Sequence, residues 1–172
     1  LGVFETFRTY RGKPFLLEEH ISRLQEGCAA IGIDFAPDIG RVKRQIERLL
    51  AVNNLPDGYF RYTVSAGKAE LGLPSGNYSK ANIIVYVKPL PPVNAKLAEK
   101  GKSLQLLRLR RNTPEGPARL KSFHYMNNIL GKRELAARSF TDGAEGLFLT
   151  KEGYLAEGIV SNLFFIRDHV CC

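Results

Sequence analysis

The chain has 172 residues, 44% of them hydrophobic and 24% charged, with a formal net charge of +8. That balance excludes a disordered tail, a collagen-like repeat and a disulfide-stapled miniprotein, and a chain of this length buries roughly 70% of its unfolded surface without a metal or disulfide. The longest apolar stretches, Ala81 to Val87 and Gly158 to Ile166, fall far below the ~20 residues of a membrane span.

Val3 to Tyr10 mixes β-branched and aromatic residues, Arg11-Gly12-Lys13 offers a turn, and Pro14-Phe15-Leu16 resumes extended chain, so a hairpin is predicted. Ile21, Leu24, Cys28 and Ile31 then recur at helical spacing, with Glu18 and Glu19 in a first turn where the helix dipole favours them. A second helix is expected after Pro37-Asp38, with Val42, Ile46, Leu49 and Leu50 as its stripe. Tyr59 to Ser65 reads as a strand, and Ala81 to Val87 as a buried one.

Pro89, Pro91 and Pro92 crowd the next stretch. Prolines at that density extend neither a helix nor a central strand, so residues 88–95 are the expected linker between a domain at 1–87 and another at 96–172. Beyond it, strands are predicted at Ser103 to Leu109, Glu145 to Thr150 and Asn162 to Ile166, with a helix over Ser122 to Arg138. Cys28, Cys171 and Cys172 supply neither a metal spacing nor a paired framework, and the first residues do not read as a secretory leader, so a reducing, cytoplasmic setting is expected. The chain opens on Leu1 rather than Met and stops abruptly at Cys172, and both ends are expected to continue in a longer protein.

No phosphate-cradling loop, dinucleotide fingerprint or nucleophile elbow is present, and His20, His124 and His169 are too scattered to suggest a metal site. What remains is a set of polar residues in apolar surroundings. Lys121, beside Leu120 and Phe123, is a candidate for partial burial, which would free its amine for Schiff-base chemistry; an exposed lysine at a helix start is the plainer alternative. Glu157, a lone carboxylate among apolar residues, either pairs with a cation, holds a proton or lies in an exposed turn. Arg23 follows His20 by three residues and shares its helix face, where a planar guanidinium suits a phosphate or simply faces water. Arg61 alternates with Tyr59 and Thr63 on one strand face, where a cross-strand charge partner is equally open. Asn162 is expected to hold the loop after Glu157 through side-chain-to-backbone bonds. The Arg108-Leu109-Arg110-Arg111 run lacks the interleaved aromatics of a nucleic-acid surface.

Four segments resemble the fold-type IV pyridoxal-phosphate enzymes, the group of branched-chain aminotransferase, D-amino acid aminotransferase and aminodeoxychorismate lyase. They are Gly2-Val3-Phe4-Glu5-Thr6-Phe7-Arg8, then His20-Ile21-Ser22-Arg23-Leu24, then Arg119-Leu120-Lys121-Ser122 with Tyr125-Met126-Asn127-Asn128, and lastly Glu145 to Thr150 running through Ala156-Glu157-Gly158 to Phe164. The likeness spans essentially the whole chain. Arg110-Arg111-Asn112-Thr113-Pro114-Glu115-Gly116 followed by Lys121-Ser122 is most similar to the bacterial lyases.

The resemblance implies an α+β, two-domain fold whose C-terminal domain is incomplete here, and pyridoxal 5'-phosphate as cofactor. It further implies Lys121 as the Schiff-base lysine, Arg23 on the phosphate, Glu157 facing the pyridine nitrogen and Tyr125 near the phenolic oxygen. The activity implied is release of pyruvate from 4-amino-4-deoxychorismate to give 4-aminobenzoate for folate, in a cytoplasmic homodimer that needs neither membrane nor nucleic acid. A substrate with two carboxylates makes Arg8 and Arg61 plausible anchors. A branched-chain or D-amino acid aminotransferase, and a cofactor-free remnant acting as a binding module, stay open as alternatives.

Overall fold

The computed structural model describes residues 1–68, 72, 75–92, 95–138 and 143–172. It forms two compact units: Leu1–Pro92 together with Leu120–Phe123, and Val93–Arg119 together with His124–Cys172.

In the first unit, β1 (Gly2–Tyr10) turns into the short β2 (Lys13–Pro14), followed by α1 (Leu17–Ala30), α2 (Ile39–Val52), β3 (Gly58–Ser65) and β4 (Asn82–Pro89). The sheet order is β2-β1-β3-β4, antiparallel throughout. Opposed residues of an antiparallel pair share a face, so Val3 with Val64, Glu5 with Tyr62 and Phe7 with Phe60 point the same way. Those apolar side chains pack on Leu17, Ile21, Leu24 and Cys28 of α1 and on Val42, Ile46 and Leu50 of α2. The three-and-four spacing of both helical stripes is what turns them toward one surface. Asp38 starts α2 by accepting the Arg41 N–H at 2.9 Å.

The strand expected to be buried at 81–87 is not. Ile83, Ile84 and Tyr86 are 47%, 45% and 58% exposed, because β4 is the outer strand of the described sheet and an antiparallel sheet can leave one side to solvent. Lys88 and Pro89, assigned to the linker from sequence, still pair with Tyr59 and Gly58; proline is tolerated at the end of an edge strand. Val93 and Asn94 of that linker lie outside the described residues.

The helix expected from Ser122 begins only at Met126. Residues 121–123 are extended instead: Phe4 N–H donates to the Lys121 carbonyl at 2.8 Å, Phe123 N–H donates to the Gly2 carbonyl at 3.1 Å, and Val3 bridges Ser122. Backbone groups that complete the β1 edge cannot also enter a helical ladder.

The second unit contains α3 (Ala95–Lys100), β5 (Leu104–Leu106), α4 (Met126–Ala137), β6 (Glu145–Leu149), β7 (Leu155–Gly158), β8 (Ile166–Arg167) and β9 (Val170–Cys171). β5 runs parallel and β7 antiparallel to β6, while β8 and β9 pair with each other. Leu107, Phe148 and Ile159 form the core, and α4 reaches it through Gly131, where an added Cβ would stand 2.6 Å from the Phe148 ring. The strand expected over Asn162 to Ile166 is reduced to its last residue. The Gly158 N–H donates to the Ser161 carbonyl at 2.9 Å, closing a tight turn immediately before it.

Candidate active site

Each unit holds a polar cluster organised around one glutamate. In the first unit that residue is Glu5, 1% exposed although it shares its strand face with Val3 and Phe7. A carboxylate there requires partners, and α1 delivers two from one face. Arg23 donates Nε–H to Oε1 at 2.6 Å and Nη2–H to Oε2 at 2.7 Å. His20 Nδ1 lies 2.9 Å from Oε2; since a carboxylate only accepts, the ring proton belongs on Nδ1. The extended segment supplies a third cation. Lys121 Nζ stands 3.9 Å from Oε2, donates to Thr6 Oγ1 at 3.3 Å and lies 5.9 Å from the Phe4 ring centre. Burial alone pushes the Glu5 carboxyl up, but the hydrogen bonds from Arg23 and His20 and the charges of Lys121 and Arg23 outweigh it and hold the group below the ordinary glutamate range.

The second cluster surrounds Glu157 on β7. Arg111, a tenth exposed, donates Nε–H to Glu157 Oε1 at 2.6 Å and Nη1–H to Asn127 Oδ1 at 2.7 Å, with its guanidinium 5.4 Å from the Phe148 ring centre. Arg119 approaches the same Oε1 at 3.6 Å and is anchored on Asn112. Burial first, and then the Arg111 charge, push the Arg119 guanidinium down, against the pull of Glu157 and Glu115. On α4, Asn127 Nδ2 donates to the Arg110 carbonyl at 3.0 Å and Asn128 donates to the Ile159 carbonyl, tying the helix to the segments next to Arg111 and Glu157. Both arginines address Oε1; among the described residues Oε2 accepts no hydrogen bond. Glu157 lines a cavity of about 610 Å³ shared with Arg111, Arg119, Thr150, Asn162 and Phe164.

Of the candidates read from sequence, Lys121 and Arg23 meet at Glu5. Lys121 is 44% exposed rather than buried between Leu120 and Phe123. Glu157 takes the cation-paired alternative. Arg61 carries its guanidinium 3.7 Å from the Phe4 ring centre, and Arg8 lies 4.0 Å over the Tyr10 ring. Tyr125 precedes α4, accepts the Ile129 N–H at 2.8 Å, and lines a second, apolar cavity of about 380 Å³ with Ile129, Ile159 and Val160. Asn162 lines the larger cavity and, among the described residues, makes no bond to the loop backbone; the Ser161 carbonyl closes that turn instead.

Sequence reasoning missed Glu5, Arg111, Arg119, Asn127 and Asn128 as members of these clusters. For Glu5 a signal existed, since a carboxylate alternating with Val3 and Phe7 on a strand falls on the core face and calls for a cation.

The chain belongs to the amino-transferase class IV family, whose description it matches over residues 2–172. It is 41% identical over 167 residues to the aminodeoxychorismate lyase of Bacillus subtilis, covering 96% of this chain and 55% of that protein. It therefore spans about half the length of that curated relative. Among solved structures, the branched-chain aminotransferase of the thermophilic archaeon Thermoproteus uzoniensis, solved with norvaline, superposes with a TM-score of 0.80 at 25% identity, over 99% of this chain and 57% of that one. A further branched-chain amino acid aminotransferase, solved with pyridoxamine 5'-phosphate, superposes with a TM-score of 0.81 at 28% identity, over 99% and 56%. The 4-amino-4-deoxychorismate lyase of Pseudomonas aeruginosa superposes with a TM-score of 0.74 at 26% identity, over 97% and 59%.

Proposed function

We propose that this chain carries the cofactor-holding residues of a pyridoxal-phosphate-dependent lyase that converts 4-amino-4-deoxychorismate into 4-aminobenzoate and pyruvate. The observation that carries the reading is the half-satisfied Glu157: Oε1 is occupied by arginines, Oε2 accepts no hydrogen bond among the described residues, and the residue lines a cavity. The 41% identity to the Bacillus lyase favours the lyase over the transferase.

Pyridoxal phosphate presents an aldehyde, a protonated ring nitrogen and a phosphate, and each unit offers groups suited to part of it. In the first unit Lys121 has a half-exposed amine for the aldehyde and Arg23 a guanidinium, 59% exposed, for the phosphate; in the second, Glu157 has a carboxylate for the ring N–H, and it is the family likeness that assigns all three to one cofactor. When bound, the cofactor supplies the electron sink for charge that develops beside the substrate nitrogen.

The protein's part is positioning and proton transfer. Arg111 fixes Glu157 Oε1, so that Oε2 keeps a defined direction. Lys121 Nζ would take the proton from the substrate ring carbon that bears the nitrogen; positioned transfer of this kind is typically worth ~10²–10⁴-fold. The C–O bond to the enolpyruvyl group would break as the ring becomes aromatic, which supplies much of the driving force, and the enolpyruvate would gain a proton at its methylene carbon to become pyruvate as Lys121 gives its proton up. Arg8 and Arg61 are the proposed anchors for the two substrate carboxylates. A cytoplasmic homodimer serving folate synthesis is proposed on the family resemblance.

The purified protein, equilibrated with pyridoxal phosphate and reduced with borohydride, is expected to gain the cofactor's mass on the peptide containing Lys121. Aminobenzoate and pyruvate should form from aminodeoxychorismate, and Lys121→Ala should lower their rate by at least ~10²-fold. Glutamate made from 2-oxoglutarate and an amino donor, without aminobenzoate, would move the assignment to an aminotransferase. No mass on Lys121 would overturn the cofactor reading.

A further inference from the structure

We propose that Glu5 is a positioning residue that presents Arg23 to phosphate. This rests on the cofactor reading above and extends it to a side chain that touches no part of the cofactor in that reading.

A charge at this place is costly. Glu5 is 1% exposed between Val3 and Phe7, and a buried ion pair contributes less to stability than well-packed apolar side chains of similar volume often do. What the carboxylate does supply is orientation. Its two oxygens take Nε and Nη2 of Arg23 at 2.6 and 2.7 Å, the parallel fork that fixes the plane and the rotation of a guanidinium. With Nε and Nη2 committed to Glu5, and Nη2 also 3.2 Å from His20 Nδ1, the side chain is still 59% exposed, so an outside anion can reach the guanidinium beside the charge of Glu26. Oε2 also takes the His20 ring N–H at 2.9 Å and holds Lys121 Nζ at 3.9 Å, with Thr6 Oγ1 as that ammonium's further acceptor at 3.3 Å. One carboxylate on β1 thereby sets the direction of a cation from α1, while Lys121 keeps in Thr6 Oγ1 an acceptor that does not depend on Glu5. A flexible arginine loses rotamer freedom when it grips phosphate, and one already held in place loses less.

Glu5→Gln keeps the shape but removes the second acceptor oxygen, so the fork cannot form. The test is modification of Arg23 by phenylglyoxal in the purified full chain, followed by peptide mass spectrometry with and without inorganic phosphate. In the parent protein, phosphate should slow modification of Arg23. In Glu5→Gln, Arg23 should react several-fold faster without phosphate, and the phosphate concentration needed for half protection should rise by about tenfold, the value of one charged hydrogen bond. Pyridoxal phosphate should weaken by a similar factor, whereas pyridoxal, which lacks the phosphate, should change less than twofold. A merely structural role would weaken both alike.

Equal phosphate protection in parent and variant overturns the proposal, as does an equal loss for both aldehydes. If Glu5→Gln does not fold, Glu5→Asp carries the test: its charge is retained one methylene short of the fork, and protection should again fall. The two readings fail differently. Phosphate protection of Arg23 that depends on Glu5, without any cofactor mass on Lys121, would sink the cofactor reading and leave Glu5 in its role.

Discussion

Glu5 and Cys28 lie in the same core and oppose the two ends of the pH scale. Glu5 is held below its ordinary value of 4.5 in the folded chain, so its contribution to stability is complete above that pH and is lost as pH falls through the folded value. Cys28 has the opposite sign. Burial pushes its thiol from 9.0 up to about 11, so its contribution is complete below about pH 9 and is lost as pH rises toward 11. Urea midpoints measured from pH 3 to 11 should therefore fall at both ends. Glu5→Gln should flatten the acid limb, and Cys28→Ala the alkaline one. An acid limb unchanged in Glu5→Gln would show that its ion pairs do not couple to folding.

Among the elements, α4 depends on the absence of a side chain. Gly131 lies against the ring of Phe148, itself fully buried, and a Cβ there would approach to 2.6 Å. Alanine in place of glycine should stabilise a helix by up to about 1 kcal/mol, but overpacking a rigid aromatic costs about 1–3 kcal/mol. Gly131→Ala is thus expected to destabilise, and because α4 carries Asn127 and Asn128 it should also loosen Arg111 and Glu157. Chemical denaturation checks the sign: a rise in stability would mean that Phe148 has room to move. α2 is the simpler case. Asp38→Ala removes the acceptor for the Arg41 N–H and should cost about 1 kcal/mol by the same measurement.

At the scale of the whole molecule, chain order and spatial order part company. Residues 120–123 belong to the first unit although 27 residues assigned to the second precede them, Val93 to Arg119. A fragment ending at Pro92 would lose two backbone hydrogen bonds along β1 and the ammonium beside Glu5. It is expected to be less stable than the same unit in the intact chain by about 1–3 kcal/mol, read by tyrosine fluorescence in urea, and adding a peptide of residues 118–124 should recover part of the difference. An unchanged midpoint would mean that the strand edge is dispensable.

Periodicity alone determined α1, α2, β1 and β3, because apolar spacing of three to four or of two residues is imposed by local geometry and survives without knowledge of any partner. It also put His20 and Arg23 on one helical face, and the family likeness marked out Lys121 and Glu157. The exposure of β4 was not readable, since an apolar strand looks the same in the middle of a sheet as at its rim. Nor was the fate of residues 121–123, whose helical propensity lost to hydrogen bonds offered by a strand more than a hundred residues away. The pairing of Glu5 with Arg23, and of Glu157 with Arg111, belongs to the tertiary structure as well. A buried carboxylate announces that it needs a cation, but only the folded chain decides which one comes within 3 Å.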